Sequence, residues 1–296
     1  MDLTTAALLT ALTSLADIIH HPLSIHIPSA LGELANGRLH IPGITPGSAK
    51  VHAGIDLTDT EDDPLPINQY RPFPELGIGI QPVNGVILAG ASPSREDCGY
   101  FDTNRIVQSA GAFAADPSLH TYILALDTPG GSCYGLQTAS DAIMAIGKMK
   151  KGARCLAYAP RLCASAGMWL AASCDSIHTA PSAIIGSIGA IASLPDSTGF
   201  WEKLGMKSEL FTDGALKALG HARHGITDAH RQWMQSEVST VSAAFKGLMR
   251  QRRPGIRDED MQGQIFESRR APATLRDTIH CLTLTDFLRS CINGQI

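Results

Sequence analysis

The 296-residue chain lacks the features that mark several broad classes of protein. No stretch approaches the roughly 18 consecutive apolar residues of a membrane-spanning helix. The seven cysteines are odd in number and form no Cys-x-x-Cys pair, which argues against a disulfide framework and indicates reduced thiols. The formal net charge of −4 gives no indication of nucleic acid or an anionic membrane as a partner. We therefore expect a cytoplasmic protein without a membrane anchor.

The composition divides the chain at about residue 80. Residues 1–80 are predicted to form an N-terminal leader, with a short amphipathic helix followed by a Pro/Gly-rich segment that carries an acidic cluster. The first charged residue is Asp2, so the apolar start lacks the positive region of a secretory signal. Residues 81–296 have regular patterning and are predicted to form the main domain.

Apolar strands alternate with helices from about residue 82. The predicted strands cover 84–90, 121–127, 154–160, 176–180, 186–193 and 207–213. The predicted helices cover 104–116, 136–149, 165–173, 198–205 and 227–250. Because the strands are apolar on both faces, we expect mainly parallel sheets flanked by helices, which is an α/β fold.

Three loops of small residues follow predicted strands: "TPGGS" (128–132), "ASAG" (164–167) and "GSIG" (186–189). Proline and glycine in the first loop allow backbone N–H groups to point outward, as an oxyanion requires. In the second loop Ser165 lies at a helix start, where the N–H of Ala166 helps to hold a negative oxygen. A strand-to-helix turn and an ordinary capping serine remain the alternatives.

A serine nucleophile needs a base, and Lys217 is the leading candidate. It lies in "DGALKALG" among apolar neighbours, and a lysine that loses hydration favours its neutral amine. A surface lysine on an apolar patch is the alternative. His178 or His221 would make a Ser–His–Asp hydrolase, although no Gly-x-Ser-x-Gly surrounds the serine. Cys163 is better explained as a small buried residue than as a nucleophile.

Four motifs in order, "LALDTPGG", "CASAGMWLAAS", "GSIGA" and "LKALG", resemble the S49 serine peptidases, the signal peptide peptidase A group. The resemblance is closer still to the bacteriophage head-assembly proteases of the lambda minor capsid protein C type. It covers roughly residues 82–290 and makes 81–296 an S49-like peptidase domain. It implies a ClpP/crotonase-like fold and a serine-type endopeptidase.

The resemblance implies a role for five residues. Ser165 matches the nucleophile and Lys217 the general base of a Ser–Lys dyad, with Ser187 orienting the lysine amine. Gly131 and Ala166 match the two N–H donors of the oxyanion hole. No cofactor and no metal are expected. The chain departs from the pattern after the lysine, where "ALGHARHG" replaces a small polar turn.

The resemblance also implies the partners. A phage or prophage capsid-assembly protease would cleave a scaffold or portal protein, in the host cytoplasm or within a prohead, and would be a homo-oligomer. No nucleic-acid partner is expected. Three alternatives stay open: a signal-peptide-degrading peptidase, a catalytically silent capsid scaffold, and a non-hydrolytic acyl-CoA enzyme of the crotonase type.

Overall fold

The computed structural model describes residues 68–296, except for 93–94, 96–97, 222 and 280–282. The predicted N-terminal helix and most of the 1–80 leader lie outside the described residues. The division at residue 80 stays a prediction. Strand β1 (Arg71–Phe73) and the first residues of β2 (Ile78–Asn84) nevertheless belong to the main sheet, so regular structure begins on the N-terminal side of that boundary.

Besides β1 and β2, the main sheet contains the strands Thr121–Asp127 (β5), Arg154–Ala159 (β6), Ser176–Thr179 (β8) and Thr278–Ile279 (β11). The six strands lie in the order β1-β2-β5-β6-β8-β11. The pairs from β2 to β11 are parallel, and β1 runs antiparallel to β2. All seven residues of β5 are buried, as expected for a parallel strand covered on both faces.

Two smaller sheets, six α-helices and four short 3-10 helices accompany the main sheet in the described part of the chain. Strands β3 (Val86–Leu88) and β4 (Tyr100–Asp102) pair in parallel, and the order β10-β9-β7 joins Ile265–Glu267, Ile184–Gly186 and Leu162–Ala164. The helices are α1 Asn104–Ala115, α2 Leu136–Met149, α3 Ala166–Ser173, α4 Thr198–Lys203, α5 Asp228–Arg252 and α6 Leu284–Ile292. This architecture confirms the predicted α/β class, with mainly parallel sheets flanked by helices as in a ClpP/crotonase-like fold.

Two hydrophobic clusters cover the two faces of the main sheet. Alternate residues of β5 divide between them, because successive side chains of a strand point to opposite faces. Tyr122 and Leu124 pack in the larger cluster with α1, α2, α3 and α5. Ile123 packs in the smaller cluster, where Phe287 of α6 stacks on Tyr158 with 4.6 Å between the ring centroids.

Helix α3 is buried along its whole length, and its residues are apolar or small all round. Its C-terminal end is held by Arg252 of α5, whose guanidinium donates to the carbonyls of Ala172 and Cys174 at 3.1 and 2.7 Å. A cation suits this end of a helix because the last carbonyls lack partners within the helix. The N-terminus of α3, which follows Ser165, therefore belongs to a rigid element.

Two predicted strands are wrong. Residues 207–213 form no strand and are exposed throughout, so the alternation in "KSELFTD" has no buried face to pack. The strand predicted at 186–193 ends at its first residue, since β9 covers Ile184–Gly186. The predicted strand 84–90 is divided at Gly85 between β2 and β3. In the described part of the chain, no helix combines the length and the apolar character needed to cross a membrane.

Replacement of Phe287 by alanine should destabilise the fold, because it removes the ring that attaches α6 to the sheet. We expect the free energy of unfolding to fall by about 3–5 kcal/mol. Tyr134→Ala, at an aromatic residue that is 78% exposed, is the control and should change it by less than about 0.5 kcal/mol. Urea unfolding measures both, and equal effects would contradict the packing described for α6.

Candidate active site

Ser165 has an unusual backbone conformation at the junction of β7 and α3. Its φ is 53° and its ψ −119°, a region that L-residues other than glycine rarely occupy. The Ser165 N–H donates to the carbonyl of Gly186 at 2.9 Å, and its carbonyl accepts from the N–H of Trp169 at 3.1 Å. Both sides of the residue are therefore fixed by the surrounding backbone.

The Ser165 hydroxyl is not used as a helix cap. A capping serine has extended backbone angles and accepts from an N–H of the first turn. Ser165 has neither feature, since its φ is positive and its side chain makes no capping hydrogen bond. The side chain is half-buried at the helix N-terminus, where the first N–H groups, including that of Ala166, have no partner within the helix. The hydroxyl is thus available for chemistry.

Ser187 also has a positive φ. Among the described residues, Ser165 and Ser187 are the non-glycine residues with positive φ, at 53° and 56°. They follow β7 and β9, which pair in parallel with Ala164 opposite Gly186. The N–H of Ser187 donates to the carbonyl of Gln264 at 2.7 Å. Two of the predicted site serines therefore lie at the carboxyl ends of neighbouring strands.

The loop after β5 lies directly against Ser165. A Cβ atom on Gly130, whose φ is +98°, would lie 2.6 Å from the Ser165 Cβ and 2.9 Å from the Ala166 nitrogen. Those separations are shorter than packed atoms allow, so this position requires glycine. The loop can approach the nucleophile candidate only because it has no side chain there.

Gly131 is held by strand β3. The N–H of Ile87 donates to the carbonyl of Gly130 at 2.9 Å, and the N–H of Ser132 donates to the carbonyl of Ile87 at 2.8 Å. In such a parallel bridge the N–H of the central residue, here Gly131, points away from the partner strand. Gly131 is exposed, so its N–H is suited to receive a ligand oxygen.

Lys217 lies in an exposed turn, which differs from the expected apolar environment. Its N–H donates to the carbonyl of Gly214 at 3.1 Å, and in the part of the chain described no hydrogen bond joins it to Ser165. Buried His230 of α5 holds this turn through a 3.2 Å contact between Nε2 and the Ala215 carbonyl. The sequence pattern was misleading because Leu216, next to the lysine, is also exposed.

The other candidate residues have different surroundings. His178 is buried in β8, and its ring nitrogens contact the hydroxyls of Ser176 and Thr278 at 2.7 and 2.6 Å. Cys163 is fully buried, and burial raises the pKa of its thiol. His221 is exposed and its Nδ1 accepts from the N–H of Arg223. Among the residues described, no three His, Cys, Asp or Glu side chains are grouped to hold a metal.

The ion pair between Asp127 and Arg161, next to the glycine loop, was not predicted from the sequence. Asp127, the last residue of β5, accepts from Nε of Arg161 at 2.7 Å and also from its Nη2. The other carboxylate oxygen, Oδ1, is buried without a hydrogen-bond partner. Burial raises the pKa of Asp127, and the charge of Arg161 opposes that effect. In the sequence, this residue could have been recognised as an acidic side chain at the end of an apolar strand.

Comparison with known proteins relates this geometry to a family. The model of peptidase family S49 matches residues 148–274, a range that contains Ser165, Ser187 and Lys217. The predicted resemblance to the S49 peptidases is confirmed. The match begins after Gly131, so the glycine loop lies outside it.

Individual relatives include cellular and phage proteases. The probable protease SohB of Buchnera aphidicola is 30% identical over 47% of this chain and 41% of its own length. Capsid assembly protease C of Escherichia phage lambda is 26% identical over 65% of this chain and 43% of its own. A putative signal peptide peptidase SppA of Enterococcus faecium is 24% identical over 56% and 48%. The chain thus spans less than half the length of these relatives.

Replacement of Gly130 by alanine should destabilise the S49-like site, because the new methyl group meets Ser165 and φ is positive. We expect the free energy of unfolding to fall by at least about 1–3 kcal/mol. Gly147→Ala in α2 is the matched control, since a Cβ there has no neighbour within 4 Å. That control should stabilise the helix by about 0.5–1 kcal/mol. Chemical denaturation measures both, and an equally stable Gly130→Ala variant would contradict the close approach.

Proposed function

We propose that the chain is a serine endopeptidase in which Ser165 is the nucleophile and Lys217 the general base. The observation that carries the proposal is the conformation of Ser165. Its hydroxyl is free at a helix N-terminus, and the surrounding structure holds it at a positive φ against a two-glycine loop. Residues in such rare conformations concentrate at functional sites, where the fold must impose them.

The mechanism assigns a step to each group. The neutral amine of Lys217 removes the proton of Ser165, and the hydroxyl oxygen attacks the peptide carbonyl carbon. The N–H groups of Gly131 and Ala166 stabilise the oxyanion, an effect typically worth about 3 kcal/mol per donor. Lys217 then protonates the leaving amine. Water, deprotonated by Lys217, hydrolyses the acyl-enzyme, and Ser187 orients the amine throughout.

The exposure of Lys217 makes a second copy of the chain part of this proposal. General-base chemistry by a lysine needs the neutral amine, and removal of the amine from water favours that form. The segment 191–217, which carries Lys217, also exposes large apolar side chains, including Ile191, Phe200 and Phe211. Burial of this segment in a homo-oligomer would cover those side chains and remove water from the amine.

The substrate assignment follows the relatives. The similarity to capsid assembly protease C supports a role in phage capsid assembly, with a scaffold or portal protein as the substrate. The similarity to SppA supports signal peptides as the second candidate substrate. A catalytically silent scaffold is less consistent with the free Ser165 hydroxyl. We place the reaction in the host cytoplasm or within a prohead.

Replacement of either dyad residue should abolish cleavage. We expect Ser165→Ala and Lys217→Ala each to lower kcat by at least about 1,000-fold, because nucleophile and base act as one unit. The assay is the cleavage of a co-expressed scaffold or portal protein, with a signal peptide tested in parallel.

Lys151→Ala is the matched control, since Lys151 is exposed and lies outside the segment proposed to be buried between copies. It should cleave at the parent rate. If Lys217→Ala cleaves as well as the parent, the dyad is wrong. If the parent itself cleaves neither substrate and a fluorophosphonate does not label Ser165, the silent-scaffold alternative is supported.

Disruption of the apolar segment should dissociate the oligomer. The substitution Phe211→Asp places a charge where the side chain is now 88% exposed, so a folding defect is not expected. Sedimentation should show a smaller species than the parent, and activity should fall because Lys217 loses the surroundings that the second copy is proposed to provide. Tyr134→Asp, outside this segment, should leave both unchanged. An unaltered sedimentation coefficient for Phe211→Asp would contradict an interface at this segment.

A further inference from the structure

We infer that Asp127 and Arg161 are positioning residues that hold the oxyanion loop in register with the nucleophile. The inference rests on the proposed function, because it concerns the geometry of that same site. Neither residue is assigned a chemical step. Their ion pair joins the end of β5 to the turn that precedes β7, and these two segments lead directly to Gly131 and to Ser165.

The two segments run side by side from the ion pair to the site. The N–H of Thr128 donates to the carbonyl of Leu162 at 2.8 Å, and the N–H of Ala164 donates to the carbonyl of Thr128 at 3.1 Å. We call these two bonds the loop–strand ladder. Asp127 and Arg161 lie at its beginning. Gly130 meets Ser165 at its end, so a change of register at the beginning displaces the loop relative to the nucleophile.

The Thr128 side chain extends this connection to the glycines. Its hydroxyl donates to the carbonyl of Gly85 at 2.6 Å and accepts from the N–H of Gly130 at 3.0 Å. The peptide unit between Asp127 and Thr128 is also fixed, since the Asp127 carbonyl accepts from the N–H of Gly85 at 3.1 Å. A movement of Asp127 is therefore transmitted through Thr128 to Gly130.

The burial of the ion pair indicates that it orients the two backbone segments rather than adding to the stability of the fold. The Asp127 side chain is 4% exposed and that of Arg161 is 37% exposed. A buried carboxylate with one unpaired oxygen is expensive, and such a pair commonly adds little net stability. The guanidinium donates through two nitrogens to one carboxylate oxygen, which fixes the relative orientation of two backbone segments.

The first test measures kcat and KM separately for the variants Asp127→Asn and Arg161→Met. A misplacement of about 1 Å can cost about 100-fold in rate, so we expect kcat to fall about 10- to 100-fold. Asp127 is buried and cannot touch the substrate, so KM should stay within about twofold of the parent value. Arg161→Lys keeps the charge but loses the second donor, and should restore only part of kcat.

Asp277→Asn is the matched control. Asp277 forms a pair with Arg253 in which one partner is buried, and it accepts from the N–H of Ile177 near the start of β8. Because β8 is parallel to its neighbours, this pair lies at the edge of the sheet opposite the site. The Asp277→Asn variant should lower the unfolding midpoint without lowering kcat. If Asp127→Asn keeps kcat within about twofold, or loses no more than Asp277→Asn does, the positioning role is overturned.

The second test does not depend on peptidase activity. Hydrogen–deuterium exchange of peptides that cover 128–135 and 161–167 reports the opening of the loop–strand ladder. Asp127→Asn and Arg161→Met should exchange there at least about tenfold faster than the parent, while Asp277→Asn should not. Unchanged exchange overturns the inference even if the chain is an active peptidase. Faster exchange supports it even if Ser165→Ala shows that the proposed function is wrong.

Discussion

The hydrogen bond from the Ser165 N–H to the Gly186 carbonyl is the constraint on which the site depends. It connects the ends of β7 and β9 at the residue where the chain turns into α3. The turn holds Ser165 at a positive φ, a conformation that costs of order 1–3 kcal/mol. The buried helix α3, fixed at its other end by Arg252, leaves the chain no way to relax this strain.

Parallel strands explain why distant segments meet at this point. The carboxyl ends of β5, β7 and β9 lie at the same edge, and each is followed by a loop of small residues. Small residues are needed because the loops approach one another more closely than side chains permit. The result is that the Ser165 side chain and the glycine loop lie against each other within a single chain.

Lys217, the candidate base, differs from Ser165, the candidate nucleophile, in how it is held by the fold. Ser165 is fixed by the core, whereas Lys217 lies on an exposed segment with large apolar side chains. The buried part of the fold therefore sets the geometry around Ser165, and the surroundings of Lys217 are not set by the core. The contribution of a second copy to this exposed segment belongs to the proposal, whereas the geometry around Ser165 is complete within one chain.

The sequence by itself determined the α/β class, most helices and strands, and the three loops of small residues that contain Gly131, Ser165 and Ser187. These follow from local periodicity and from small residues, which short stretches of sequence display directly. Only the tertiary structure decided that the Ser165 hydroxyl is not a cap, that Lys217 is exposed and that 207–213 is not a strand. It alone brought Asp127 to Arg161, because pairing between distant segments depends on the register of the whole sheet.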